Sequence, residues 1–259
     1  MLPSVYAPKD FKRLRAVGDL VARCFDFITP RVAAGISTGQ IDDMVADFLR
    51  ENGARSSDFG YQGFPKHICA SVNDVVVHGI PKAGEILKDG DIVNIDLTAE
   101  LKGFHGDASR MFMIGKVSDE ARRLADVCHD ALNAAIAVCA PGVPLSEIGK
   151  TVEGIAKGNG YSVVRDFVGH GIGKVMHDEP MIYHYYEKSQ DKILMTPGLV
   201  FTIEPMLNQG TEQCVVDPDG WTARTKDGKL SAQWEHTIGI TEDGSVIFTE
   251  RKFGDGERF

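Results

Sequence analysis

Two stretches of this chain carry the same residues in the same order. Gly35, Ile41, Val45, Asn52 and Gly53 recur 107 positions later as Gly142, Ile148, Val152, Asn159 and Gly160. Gly90 followed by Asp96 recurs 108 positions later as Gly198 followed by Glu204. A chain that repeats turn glycines and apolar helix positions is expected to fold as two similar halves packed face to face, with a crevice between them where sites often form. The spacing of Phe11, Leu14, Val17, Val21, Cys24, Phe25 and Ile28 predicts a helix over 9–29. Thr38 is placed to cap a second helix carrying Ile41, Met44, Val45, Phe48 and Leu49, with Asn52-Gly53 as its stop. Ser118 then caps a long helix to about Cys139, Pro141-Gly142 breaks it, and Ser146 opens another that ends at Gly158-Asn159-Gly160. Strand-like segments follow each helix pair, 71–77 and 91–98 in the first half and 199–204 and 233–240 in the second. The expected organisation is one catalytic domain over 1–259, with internal halves of roughly 9–115 and 118–250.

Composition removes several alternatives. A chain of 259 residues can bury a sizeable core. Its formal net charge of -9 gives no global pull toward nucleic acid or an anionic membrane. The longest apolar stretch, 134–140, is about a third of a membrane span. Lys9, Asp10, Lys12, Arg13 and Arg15 stand where the apolar core of a signal peptide would begin, so cytoplasmic residence is expected. Cys24, Cys69, Cys128, Cys139 and Cys214 are odd in number and lack CxxC spacing, which fits reduced thiols.

Four carboxylates stand where strands should be apolar. Asp96 follows Ile92-Val93-Asn94-Ile95, and Asp107 comes shortly before Met111, Phe112, Met113 and Ile114. A hairpin turning between Leu101 and Lys102 would set the two acids directly opposite, with Cβ atoms about 4.5–5.5 Å apart. Two bare carboxylates about 5 Å apart repel by roughly 3 kcal/mol at an effective dielectric near 20. Either one is protonated, or a cation lies between them, or the turn is off-centre and both acids are solvated. Glu204 ends the apolar run 199–203, and Glu235 follows Trp234 inside 232–238. A Glu amid apolar strand residues is uncommon unless partnered. One alone is usually a salt bridge, but four across two similar halves call for a positive centre. His170 sits in Gly169-His170-Gly171-Ile172-Gly173, where glycines let backbone approach closely and leave the imidazole open. Alone it reads more often as a loop residue than as a ligand. A phosphate loop is excluded, because Val175 follows Lys174 where Ser or Thr is needed. Four carboxylates and one imidazole suit Mn²⁺, Fe²⁺, Co²⁺ or Zn²⁺.

At these residues the sequence resembles the type I methionine aminopeptidases, of the duplicated pita-bread metallopeptidase fold. The resemblance covers essentially the whole chain. It rests on Val77-His78-Gly79-Ile80-Pro81, Asn94-Ile95-Asp96, Gly106-Asp107, Gly169-His170-Gly171-Ile172-Gly173, His177-Asp178-Glu179-Pro180, Thr202-Ile203-Glu204-Pro205 and Glu235-His236-Thr237. It implies an α+β fold of two pseudo-symmetric halves, each with two helices on an antiparallel sheet, and a metal site between them. It implies two divalent ions per chain. Asp107 and Glu235 would bridge them, Asp96 would complete one, and His170 with Glu204 the other. The implied reaction is removal of the initiator methionine from nascent proteins with a small second residue, by a metal-activated water attacking the peptide carbonyl. Glu204 would shuttle the proton, His78 would contact the substrate near the scissile amide, and His177 would hydrogen-bond the peptide carbonyl. On sequence alone either histidine also reads as structural. Tyr61, Phe64, Cys69 and Trp221 would wall the methionine pocket, with Met176 as a further apolar contact, although Phe64 and Cys69 also read as ordinary core. The implied partners are N-terminal methionine peptides and nascent proteins, with contact to the ribosome plausible. Neither a membrane nor a specific nucleic acid is expected, and a monomer is the default.

Three rivals remain. An Xaa-Pro aminopeptidase or dipeptidase would share the ligands but typically carries a large N-terminal domain, for which no room precedes Lys9. A non-catalytic binding protein on the same scaffold would lack tight metal and turnover. A two-metal phosphoesterase would want Arg or Lys beside the metals.

Overall fold

The computed structural model describes residues 3–250, so both ends of the expected 1–259 domain lie outside the described residues. Helix α1 (Pro8–Ile28) has proline at its start, where a missing N–H leaves no helical bond unmade, and buries Leu14, Val17, Val21, Cys24, Phe25 and Ile28. Helix α2 (Thr38–Glu51) is capped by Ser37 and not by Thr38. Ser37 Oγ accepts the Gln40 N–H at 3.1 Å while Gln40 Oε1 accepts the Ser37 N–H at 2.9 Å, a reciprocal capping box. The Thr38 hydroxyl instead donates to the Lys82 carbonyl and the Glu85 carboxylate. In the second half, α3 (Asp119–Ala137) has its Ala121 N–H capped by Ser118 Oγ, and α4 (Ser146–Gly158) follows.

The repeat lies in backbone conformation as well as in sequence. The Asn52 side chain donates to the Phe48 carbonyl, and the Asn159 side chain to the Ile155 carbonyl. The next residues, Gly53 and Gly160, have φ of 68° and 82°, a left-handed stop that glycine adopts without strain. Gly90 and Gly198, ahead of the two acid-bearing strands, have φ of 97° and 93°.

The first half continues with β1 (Arg55–Ser56), β2 (Cys69–Val72), β3 (Val75–Val77), β4 (Ile92–Leu101) and β5 (Phe104–Met113). Strands β1, β2 and β5 all pair antiparallel with β4. Phe25, Ile41, Val93, Ile95 and Phe104 belong to the core between this sheet and its helices. The second half has β6 (Ser162–Val163), β7 (Gly169–Gly171), β8 (Asp178–Ile182), β9 (Val200–Ile203), β10 (Met206–Asn208), β11 (Cys214–Val216), β12 (Ala223–Thr225), β13 (Ser231–Gln233), β14 (His236–Thr241) and β15 (Gly244–Ile247). One antiparallel sheet runs β15-β14-β9-β7-β8 and another β13-β10-β6. Their apolar faces meet α3 and α4 around Leu124, Leu132, Ile148, Phe201 and Ile203. The β11-β12 hairpin crosses over to pair with β3 of the first half. No helix among the described residues is long and apolar enough to cross a membrane.

The β4–β5 turn is centred one residue beyond the point midway between Leu101 and Lys102. Leu101 pairs with Phe104, so Asp96 faces Ser109 and Asp107 faces Thr98. Lys102 and Gly103 form the turn with φ of 52° and 81°, and positive φ at both central residues matches the twist of the flanking strands. Moving the centre by one residue shifts each partner by two, which leaves both acids on one face. Asp96 and Asp107 are diagonal neighbours, not direct opposites.

Candidate active site

All five sequence-predicted ligands line one cavity of about 600 Å³. Asp96 and Asp107 project from adjacent strands on one face of the hairpin and both line the cavity. Glu204 directly follows β9. Glu235 occupies the two-residue break between β13 and β14, not a strand interior. Its N–H donates to the Ser109 carbonyl at 3.2 Å, which ties the second half to β5. Asp107 is tied in return: its N–H donates to Thr237 Oγ1 at 3.0 Å, and the Thr237 hydroxyl donates to the Asp107 carbonyl at 2.8 Å.

His170 lies on β7 and not in a loop. Its flanking glycines allow the close strand packing. A Cβ at Gly171 would sit 2.1 Å from the Glu179 carbonyl oxygen, and one at Gly169 would sit 2.6 Å from that of Thr202. His170 Nδ1 is 3.0 Å from the Gly171 carbonyl. A carbonyl only accepts, so Nδ1 carries the hydrogen and Nε2 presents its lone pair. That lone pair faces carboxylates, with Asp107 Oδ2 at 3.7 Å and Glu204 Oε1 at 3.8 Å. An imidazole that donates one N–H to a backbone carbonyl and aims the other nitrogen at acids is oriented as a metal-binding histidine is.

The electrostatics need a cation. Burial is the main cause that pushes Asp107 up to about 6 and Glu204 up to about 8. Burial, and then the neighbouring acids, hold Asp96 and Glu235 well above the usual carboxylate range. Burial depresses His170 to about 3, so its imidazole brings no positive charge near neutral pH. No Lys or Arg lines the cavity among the described residues. Asp107 Oδ1 and Glu235 Oε1 are buried without a hydrogen-bond partner. One donor atom each from Asp107, His170 and Glu235 lie within 4.8 Å of one another, a spread that suits ligand bonds of about 2.0–2.2 Å to a central ion. Orphaned carboxylate oxygens, an inward lone pair and no basic side chain fit a divalent cation.

Three side chains that hold Glu204 were not singled out from the sequence. Thr202 Oγ1 donates to Glu204 Oε1 at 2.7 Å and accepts the His170 N–H at 3.0 Å. Gln233 Nε2 donates to Glu204 Oε2 at 3.3 Å. His184 Nε2 accepts the Glu204 N–H at 3.0 Å, and burial lowers that imidazole to about 3. Thr202 and Gln233 each stand two residues before a ligand, so strand alternation was an available signal. His184 carries no spacing signal. Asp58, a fifth buried carboxyl in the cavity wall, accepts the Thr98 N–H at 3.2 Å.

The expected substrate-contacting residues also reach this cavity. Tyr61, Phe64, Cys69, His78, His177 and Trp221 line it, with Met176 beside them. Phe64 and Trp221 meet edge to face at 5.1 Å. His78 has φ 58°, a left-handed conformation that costs a non-glycine residue on the order of 1 kcal/mol. Burial lowers its pKa to about 4, so it is neutral near pH 7. His177 Nδ1 is 2.9 Å from the Tyr61 hydroxyl, and its ring centre is 4.2 Å from that of His170.

The family model for metallopeptidase family M24 matches residues 12–242. The methionine aminopeptidase of Escherichia coli (strain K12) is 44% identical over 253 residues, covering 97% of this chain and 96% of that protein. Methionine aminopeptidase A of Synechocystis sp. is 46% identical over 241 residues, covering 93% and 95%. The crystal structure of methionine aminopeptidase from Rickettsia prowazekii superposes with a TM-score of 0.94 at 44% identity, covering 96% of this chain and 100% of that one. The prolidase from Pyrococcus furiosus shares the fold at 20% identity and a TM-score of 0.74, but the match spans 66% of its length.

Proposed function

Because the chain belongs to metallopeptidase family M24 and, within it, to the type I methionine aminopeptidases, we propose that it removes the initiator methionine from nascent proteins whose second residue is small. One observation carries the reading: buried carboxylates with orphaned oxygens surround an inward-facing imidazole lone pair. Asp96, Asp107, His170, Glu204 and Glu235 would together hold two divalent ions. Such ions would acidify a water and polarise the scissile carbonyl. The ions belong to the set Mn²⁺, Fe²⁺, Co²⁺ and Zn²⁺.

The chain's own residues do the rest. Glu204, clamped by Thr202 and Gln233, takes the proton and carries it to the leaving amine, the role of a positioned general acid–base. His177 turns Nδ1 to the Tyr61 hydroxyl, which leaves Nε2 to hydrogen-bond the substrate carbonyl. Neutral His78 contacts the substrate beside the scissile amide. Tyr61, Phe64, Cys69 and Trp221 enclose the unbranched thioether, with Met176 as a deformable neighbour. Residues 1–259 act as one catalytic domain, a cytoplasmic monomer that meets nascent chains as they leave the ribosome.

A peptide panel tests this. Methionine is expected to leave Met-Ala-Ser quickly and Met-Lys-Ser poorly, with activity lost to a chelator and restored by Mn²⁺ or Co²⁺. Cleavage confined to Xaa-Pro peptides would overturn the substrate, and tight metal without any turnover would leave only a binding protein.

A further inference from the structure

We propose that the N-terminal strap, residues 4–6, positions the loop that carries His177, acting through the side chains of Tyr6 and Ser4. The proposal rests on the reading of His177 as the group that meets the substrate carbonyl.

The loop between β7 and β8 is tied at its start, where the Ile172 N–H donates to the Val200 carbonyl at 3.1 Å, and at its end, where His177 Nδ1 is 2.9 Å from the Tyr61 hydroxyl. The Gly173 carbonyl accepts the His105 N–H at 2.7 Å, and the Gly173 N–H donates to the Val175 carbonyl at 3.1 Å. The strap adds two bonds that bracket His177. The Lys174 N–H donates to the Tyr6 hydroxyl at 2.9 Å, and the Ser4 hydroxyl donates to Asp178 Oδ2 at 2.5 Å. Tyr6 is only 7% exposed, with its ring edge-on to Phe104 at 6.1 Å.

Two glycines make room for the strap. A Cβ on Gly173 would lie 2.3 Å from the Tyr6 ring, and one on Gly198 would lie 2.6 Å from Val5 Cγ1. The strap itself is fastened: the Tyr6 N–H donates to the Gly198 carbonyl at 2.8 Å, and Val5 bridges Leu199. An anchored strap therefore extends two polar groups to either side of a residue whose ring sits 4.2 Å from that of His170. Packing alone would be satisfied by phenylalanine at position 6, so the hydroxyl is the part that addresses the loop. A displacement of about 1 Å in a positioning group can cost up to a hundredfold in rate.

A double-mutant cycle tests the assignment on the metal-loaded enzyme with Met-Ala-Ser. Tyr6→Phe keeps the ring and removes the acceptor of the Lys174 N–H. It is expected to lower kcat about fivefold, the scale of one lost hydrogen bond, with KM within about twofold of the parent. In a His177→Ala background the same change is expected to alter kcat by less than about 1.5-fold, because the positioned group is gone. An unchanged kcat in Tyr6→Phe, or equal losses in both backgrounds, overturns the proposal. Ser4→Ala cuts the second anchor at an exposed position and repeats the cycle without touching the buried ring. A second readout needs neither metal nor turnover. In the metal-free protein the His177 imidazole NMR signal, assigned by its loss in His177→Ala, is expected to shift in Tyr6→Phe while that of His129 on α3 stays in place. An unmoved His177 signal overturns the strap. A parent enzyme inactive on every methionine peptide would instead sink the functional reading, and the NMR comparison would still decide the strap.

Discussion

The two halves share helices and turn glycines but hold their acids by different means. In the first half, Asp96 and Asp107 ride on one continuous hairpin, two ten-residue strands paired along their whole length. In the second, His170 sits on a three-residue strand, Glu204 just past the end of a four-residue strand, and Glu235 in a break between two strands. A continuous ladder positions a side chain mainly through its own backbone, with the Thr237 hydroxyl clasping only the Asp107 main chain. Short, interrupted strands cannot, and there side chains take over: Thr202 and Gln233 grip the Glu204 carboxylate, and Thr202 also caps the His170 N–H. Duplication supplied the frame twice, but the half with the broken strands is the one that gained the residue suited to move a proton.

The largest test of that contrast exchanges one acid from each half. Glu204→Gln keeps shape and burial but cannot accept a proton, so kcat on Met-Ala-Ser is expected to fall about a thousandfold at any Mn²⁺ concentration. Asp96→Asn is expected to raise the Mn²⁺ concentration needed for half-maximal activity, with much of the rate recovered at saturating metal. Equal responses of the two variants to added metal would remove the functional distinction between the halves.

The next effect concerns the supports. Thr202→Val removes the donor to Glu204 and the acceptor of the His170 N–H, and loss of an outer partner of this kind typically costs about 10- to 100-fold in activity or metal affinity. Ser109→Ala, which removes the hydroxyl that accepts from Asn94 on the β4–β5 ladder, is expected to cost less than about threefold, because the ladder persists. Steady-state kinetics with metal titrations measure both. A larger loss from Ser109→Ala would show that the hairpin depends on side chains as much as the broken strands do.

Both halves contribute to one pH response in the metal-free protein. Burial raises Asp107 to about 6 and Glu204 to about 8, above the unfolded values of roughly 4 for both. The folded state therefore holds more protons than the unfolded one between those limits. The stability this contributes is fully present below about pH 4 and is lost as pH rises through 6 toward 8. Divalent metal reverses the trend, since ligands must be ionised to bind and binding releases their protons. Below about pH 6.5 the buried neutral imidazoles of His78, His170 and His184, lowered to about 4, 3 and 3, oppose this trend because they gain protons on unfolding. Thermal melts of chelated protein between about pH 6.5 and pH 8 should therefore show Tm falling, and the gain from added Mn²⁺ should grow over the same range. Glu204→Gln should flatten the upper part of the fall. A flat profile in the chelated parent would mean that the acids are solvated.

What the sequence made legible follows the range of the interactions involved. The four helices and the glycine stops of α2 and α4 were readable because period and left-handed turn are local, while the cap of α2 fell one residue earlier than expected, on Ser37. The acids were readable as an anomaly, since carboxylates inside apolar strands demand a partner, but their roles came from the family resemblance. The hairpin centre was misplaced because Lys102 takes a positive φ that its side chain does not advertise. His170 reads as a loop residue in a glycine run, because the reason for those glycines is contact with Glu179 and Thr202, which no local pattern shows. The grip of Thr202 and Gln233 on Glu204 and the reach of Tyr6 to Lys174 depend on tertiary approach, and the second spans 168 positions of chain.

The smallest expected effect returns to the repeat itself. The halves differ in which helix start is closed by a serine. In the first half it is α2, where Ser37 and Gln40 bond reciprocally. In the second it is α3, where Ser118 accepts one N–H, and α4 begins without a side-chain cap. Replacing a serine cap by alanine costs about 1 kcal/mol. Ser37→Ala should cost somewhat more than Ser118→Ala, because besides the cap it removes the hydroxyl that donates to Gln40 Oε1 at 3.2 Å, leaving that oxygen only the backbone N–H of residue 37. Urea unfolding with metal held constant measures the difference. If Ser118→Ala proves the costlier, then the second half gains more from its helix starts than its sheets suggest, and the first half's rigidity rests on the β4–β5 ladder without help from its helix caps.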